Sequence, residues 1–162
     1  DDGMEIKRAQ TDNEMAEVRR LFRAYESALG VDLTFQGFDQ ELASLPGKYA
    51  PPTGDLLVGR VQGRILGCVA VRRLEDDICE MKRLYVRPEG RGAGLGRRLA
   101  QRIIAVARSL GYASMRLDTL DRLTGAMRLY ESLGFRRIDP YYGNPLPGVV
   151  YWELDLKPAG PQ

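Results

Sequence analysis

The chain has 162 residues, 44% of them apolar and 28% charged, the proportions of a soluble globular domain and not of a disordered or fibrous chain. Twenty-four lysines and arginines against 22 acidic residues leave a net charge of only +2, too weak a basic field for a dedicated nucleic-acid binder. Histidine is absent, so the Ser-His-Asp triad, the Cys-His dyad, histidine metal ligation and imidazole acid–base chemistry are all excluded. Proton transfer falls to a carboxylate, tyrosine, cysteine, lysine or water. A chain of this length buries roughly 70% of the surface it exposes when unfolded, so one domain over residues 1–162 is expected. Cys68 and Cys79 are too few for a disulfide scaffold or a zinc site, and no metal is expected; in apolar strand-like runs they read as small buried thiols. No apolar run approaches the ~20 residues of a membrane helix and no secretory signal opens the chain, which points to a cytoplasmic protein without a membrane partner. Asp1-Asp2-Gly3 reads as a remnant ahead of a native Met4.

In chain order, Met4 to Ala9 alternates as a strand, and Thr11 or Asp12 offers a helix N-cap with Glu14 in the first turn. Met15, Val18, Leu21, Phe22, Tyr25 and Leu29 recur at steps of three and four, a helix stopped by Gly30. Phe35 to Leu45 is a second helical patch ended by Pro46-Gly47, and Pro51-Pro52-Thr53-Gly54 is a rigid connector. Leu56–Val61, Ile65–Leu74 and Ile78–Val86 form a meander with turns at Gln62-Gly63 and Glu75-Asp76-Asp77. A glycine-dense loop follows, then a helix to Leu110, a strand from Ala113 to Thr119, a helix from Leu123 to Leu133, and strands Phe135–Asp139 and Val149–Leu156. The order β-α-α-β-β-β-α-β-α-β-β is that of one mixed α/β domain without repeats or linkers.

The loop Arg87-Pro88-Glu89-Gly90-Arg91-Gly92-Ala93-Gly94-Leu95-Gly96 joins a strand to a helix. Glycine at alternate positions strips Cβ atoms from one side of the turn, so backbone N–H groups and the positive end of a helix dipole can approach a phosphate. Arg91, Arg97 and Arg98 add cations nearby. The spacing G-x-G-x-G is not the Rossmann G-x-G-x-x-G, and Gly47-Lys48 is followed by Tyr49, so it is not a Walker A loop.

The pattern R-x-x-G-x-G after Leu84-Tyr85-Val86 closely resembles the acyl-CoA-binding motif of the GNAT superfamily of N-acetyltransferases. The strand Met115 to Thr119 and the helix Ala126-Met127-Arg128-Leu129-Tyr130-Glu131-Ser132-Leu133-Gly134-Phe135 follow in the superfamily's order. The resemblance implies a central mixed, mostly antiparallel sheet of about seven strands flanked by four helices. It implies acetyl-CoA as co-substrate, with Leu84, Tyr85 and Val86 pairing with the pantetheine arm. The pyrophosphate would rest on the N–H groups of Arg91, Gly92, Ala93, Gly94, Leu95 and Gly96, with Arg97 at the helix start. Reaction would take place where the fourth and fifth strands splay apart. Tyr130 matches the family tyrosine near the thioester sulfur, the candidate acid. Glu80 lies eleven residues before Arg91, on the strand where the histone acetyltransferase branch carries its catalytic glutamate, and is the candidate base. Amid Ile78, Cys79 and Met81 it would be partly desolvated; the opposing reading is an exposed glutamate paired with Lys82 or an arginine. Leu123 stands where the family often has an asparagine contacting pantetheine, so that contact is missing or passes to Asp121 or Thr124.

On the acceptor side, Tyr25, Tyr141, Tyr142 and Asn144 are candidates for a pocket, while Phe35 and Phe38 read as packing. Lys82 and Arg83 hint at a substrate carboxylate. The resemblance leads to an N-acetyltransferase acting on a primary amine of a small, amino-acid-like molecule within a ternary complex, with room for a homodimer. A protein acetyltransferase and a non-catalytic acyl-CoA-binding regulator are the alternatives.

Overall fold

The computed structural model describes residues 3–157; Asp1 and Asp2, part of the segment read as a remnant, lie outside them. The elements are β1 (Met4–Arg8), α1 (Asp12–Leu29), α2 (Phe38–Ala43), β2 (Asp55–Val61), β3 (Arg64–Glu75), β4 (Ile78–Val86), α3 (Leu95–Ser109), β5 (Ser114–Leu120), α4 (Thr124–Ser132), β6 (Arg136–Ile138) and β7 (Val149–Asp155). Seven strands form one sheet in the order β1-β2-β3-β4-β5-β7-β6. Every neighbouring pair is antiparallel except β4 and β5. The seven strands and four helices agree with the architecture that the resemblance implies.

Of the two cap candidates, Thr11 is the one used. Its hydroxyl accepts from Glu14 N at 3.1 Å, and Glu14 Oε1 accepts from the N–H groups of Thr11 and Gln10 at 3.0 and 2.8 Å. Those backbone donors hold the Glu14 carboxyl down at about 2. The expected helix from Phe35 to Leu45 is broken in two. A single 3₁₀ turn spans Thr34–Gln36, Gly37 turns left-handed at φ 71°, and α2 starts only at Phe38.

The alternation of the strands sends side chains into two cores. Val69, Val71, Met81, Leu99, Ile103, Met115 and Trp152 pack beneath α3 and α4. Val18, Leu21, Phe22, Phe38, Tyr49, Val58 and Cys68 pack beneath α1 and α2. Both cysteines are buried, and that burial lifts each thiol to about 12, so neither is a thiolate at neutral pH. Among the described residues no helix is long and apolar enough to cross a membrane.

β4 and β5 pair over three positions only, Ile78 with Ser114, Cys79 with Met115 and Glu80 with Arg116, and then part. On its other side β4 carries a bulge: Cys68 faces Tyr85 and Ala70 faces Lys82, so Arg83 and Leu84 oppose the single residue Val69. Arg83 sits there at φ 62°, a conformation that costs a non-glycine residue about 1–2 kcal/mol. Its guanidinium is held by Glu41, Nε to Oε2 at 2.9 Å and Nη2 to Oε1 at 3.0 Å, and lies 5.0 Å from the Phe38 ring centre. Glu41 also accepts from the Tyr49 hydroxyl at 2.9 Å. Burial pushes the Glu41 carboxyl up, but the hydrogen bonds and charge of Arg83 outweigh it and bring it to about 2.

Replacing Glu41 with glutamine leaves a buried guanidinium without its counter-ion, and the expected cost at neutral pH is about 3 kcal/mol in denaturant unfolding. Because the folded-state carboxyl is depressed, its stabilisation is full above pH 4.5 and is lost as pH falls toward about 2. The gap between wild type and Glu41→Gln should therefore narrow across that window. A constant gap would mean that the pair does not titrate with folding.

Candidate active site

Where β4 and β5 part, a cavity of about 90 Å³ opens between them, room for several waters. Lys82, Arg83 and Leu84 of β4 and Asp118 and Thr119 of β5 line two of its sides, and Tyr130 of α4 lines a third. Tyr130 is 7% exposed and stands edge-on to Phe135 at 5.6 Å. Burial, with smaller contributions from Tyr25 and Asp118, raises its hydroxyl further above the ordinary tyrosine value, so it keeps its proton at neutral pH. Tyr25, Gln36 and Asn144 complete the polar lining, and Leu123 sits among the apolar wall residues.

Asp118 accepts hydrogen bonds from the Tyr142 hydroxyl and from Asn144 Nδ2, the latter at 3.2 Å. Asn144 Nδ2 also reaches Tyr142 Oη at 2.7 Å, and its Oδ1 accepts from Leu146 N at 2.9 Å, which fixes the turn before β7. The residue missed as a first choice by the sequence reading is thus Asp118; its place opposite β4, where the strands part, shows only once the strands are paired.

Glu80 is 1% exposed, neither a surface glutamate nor a neighbour of Tyr130 in this cavity. Its Oε1 takes Arg72 Nε at 3.0 Å and Nη2 at 2.9 Å, and its Oε2 accepts from the Tyr141 hydroxyl at 2.6 Å. It lines a second, wider pocket of about 520 Å³ with Phe35, Arg72, Tyr141 and Tyr142, and this pocket shares Gln36 and Lys82 with the first. Tyr141 and Tyr142 form an aromatic lip on this pocket: they pack against Tyr151 with ring centres 5.3 and 5.6 Å away, and each hydroxyl holds one carboxylate. Of the two phenylalanines read as packing, Phe38 is in the core, whereas Phe35 is 42% exposed.

On the other side, β4 runs to the glycine loop. Because β5 has diverged, the edge of β4 from Leu84 to Val86 that faces away from β3 has no strand beside it among the described residues. Arg91 Nε lies on the Val86 carbonyl at 3.0 Å, and its guanidinium carbon is 5.8 Å from the Tyr85 ring centre. Arg97 Nη2 bonds Ser132 Oγ at 2.9 Å and ties the start of α3 to α4.

The sequence matches the Acetyltransferase (GNAT) family over residues 15–135. It belongs to that family. An uncharacterised N-acetyltransferase of Schizosaccharomyces pombe is 48% identical over 153 residues, covering 93% of this chain and 94% of that one. N-acetylaspartate synthetase of Danio rerio is 36% identical over 117 residues, 71% of this chain and 42% of that longer protein. The PaiA N-acetyltransferase of Thermoplasma acidophilum, solved with coenzyme A, shares the fold at a TM-score of 0.73 and 15% identity, covering 94% of this chain and 98% of its own.

The GNAT loop fits an acyl-CoA. No side chain caps the N-terminus of α3, so its first-turn N–H groups remain for a ligand. Gly94 turns at φ 87°, and a Cβ there would meet no atom within 4 Å. Gly96, inside α3, needs no unusual backbone, and a Cβ there would meet only Val86 Cγ2 at an ordinary 3.7 Å. Protein packing therefore does not explain glycine at position 96, and a bare backbone there leaves room for a ligand. Gly96→Ala should leave the unfolding free energy unchanged or raise it by up to about 1 kcal/mol, read in denaturant unfolding. Gly96→Glu should fold and lose CoA binding, because its carboxylate occupies and repels the pyrophosphate position. A folded Gly96→Glu with wild-type CoA affinity in calorimetry would remove this loop from cofactor binding.

Proposed function

We propose that this N-acetyltransferase acetylates a primary amine of a small molecule, which attacks bound acetyl-CoA directly in a ternary complex. The observation that carries the reading is the pairing of Asp118 and Tyr130 on one small cavity between β4 and β5. A relative named for making N-acetylaspartate gives it support, since that product is an acetylated small amine. The cavity is walled by Leu33, Leu123 and Leu146, which suits a small acceptor better than a peptide.

The pyrophosphate would rest on the N–H groups at the start of α3, and the pantetheine arm would lie along Leu84, Tyr85 and Val86 once the Arg91 guanidinium leaves the Val86 carbonyl. Bound acetyl-CoA supplies an acetyl thioester, whose C–S bond breaks as the C–N bond to the amine forms. Asp118 draws in the ammonium and accepts its proton, leaving a nitrogen lone pair to attack. Tyr142 and Asn144 orient that carboxylate. Tyr130, kept protonated by burial, donates to the departing thiolate. Glu80, occupied by Arg72 and Tyr141, holds the tyrosine lip in place and is assigned positioning in preference to proton transfer.

Thiol release with a panel of amines tests the assignment. Asp118→Asn should lower turnover by roughly 10²–10⁴-fold with CoA affinity intact, and the defect should shrink at high pH, where the amine is already neutral. Tyr130→Phe should lower turnover without lowering the melting point. An inactive Glu80→Gln beside a fully active Asp118→Asn would move the base to Glu80. Release with peptides alone would favour a protein substrate, and tight CoA binding without release a regulator.

A further inference from the structure

Three charged residues line the cavity among those described: Lys82, Arg83 and Asp118. Arg83 is neutralised, because Glu41 holds its guanidinium at two points, 2.9 and 3.0 Å. Lys82 has no such partner. Its side chain is 9% exposed, its ammonium touches Gln36 Oε1 at 3.4 Å, and its nearest carboxylate oxygen, on Glu80, is 4.0 Å away. That oxygen already receives Arg72 at 2.9 Å. Burial pulls the Lys82 ammonium below its usual value; Glu80 and Asp118 oppose that, and Arg83 and Lys48 add to it. Asp118, for its part, is held by the neutral donors Tyr142 and Asn144. The cavity thus presents one buried cation, whose only ion pair among the described residues is the long one to an oxygen that Arg72 already holds, and one carboxylate met at hydrogen-bond distance by neutral donors alone. Buried charges are costly unless they are paired, and a ligand that brings the two complementary charges removes both costs.

We infer that the acceptor is a zwitterion, a primary amine with a carboxylate a few bonds away, whose carboxylate pairs with Lys82 while its ammonium meets Asp118. The inference rests on the reading of this cavity as the acetyl-transfer site. Lys82 is then the specificity residue, and Arg83, which the sequence offers on equal terms, is a scaffold cation. A free α-amino acid fits the charge pattern. Its primary amide and its decarboxylated amine keep the nucleophile and lack the anion.

The test compares acceptors that differ only in that anion. Thiol release is measured with the twenty common amino acids and then, for the best of them, with its primary amide and its decarboxylated amine. Wild type should favour the acid over the amide by roughly 10²-fold in kcat/KM, carried mainly by KM. In Lys82→Met that ratio should fall to near one, and Lys82→Arg should retain part of it. Thermal melting and CoA calorimetry on both variants establish that they are folded; should Lys82→Met not fold, the wild-type ratio and competition by the matching carboxylic acid without its amine decide alone. A wild-type ratio near one, or a ratio unchanged in folded Lys82→Met, would overturn the zwitterion while leaving a small-amine acceptor standing. Turnover of peptides alone, or of no amine, would overturn both.

Discussion

The bulge at Arg83 is the constraint on which the site depends. An extra residue in β4 opposite Val69 bends and twists the strand, and its outer edge swings away from β5 after only three paired positions. The bend is held by an arginine in a left-handed conformation, which relaxes unless its surroundings over-determine it. Glu41, Tyr49 and Phe38 supply that support from the segment joining α1 to β2. Two consequences follow from one ion pair. The edge of β4 is left open beside Leu84 to Val86, and the gap between the strands becomes a cavity with Tyr130 across it.

In the proposed reaction the two substrates are served by differently built halves. The cofactor half is local in sequence: one strand, one glycine loop and the start of one helix, consecutive from Leu84 to Arg97. Such a unit has little loop-closure entropy to overcome before its N–H groups converge. The acceptor half is assembled from Gln36, Lys82, Asp118, Tyr130 and Asn144, brought together only when the whole sheet has closed. On the proposed reading, specificity lies where the fold is most cooperative, while the unit assigned to the cofactor is self-contained.

That division decides what was legible in the sequence. The glycine loop, the strand before it and the Tyr130 helix were readable because their meaning lies in short-range spacing. So was the partner of Glu80 in principle: the turn at Glu75-Asp76-Asp77 sets a register in which Arg72 stands opposite Glu80. The readings of Lys82 and Arg83 were not separable, since adjacent cations look alike until the bulge turns one of them into the core toward Glu41. Asp118 was legible only as one strand carboxylate among several. Its cavity exists because of a divergence between β4 and β5 that no local pattern encodes.

The tyrosine lip joins the two halves of this charge arrangement. Tyr141 donates to Glu80, which is neutralised by Arg72, and Tyr142 donates to Asp118, which is not neutralised by any cation at hydrogen-bond distance among the described residues. Hydroxyls that stay protonated can serve both carboxylates without adding charge; burial raises both tyrosines well above their ordinary value and ensures that they do. A lysine or arginine in place of Tyr142 would satisfy Asp118 more strongly and would cancel the charge that an acceptor ammonium needs to meet. The lip thus lines the wider pocket with aromatic surface and orients Asp118 with a neutral donor, which in the proposed reaction leaves the electrostatic attraction to the substrate.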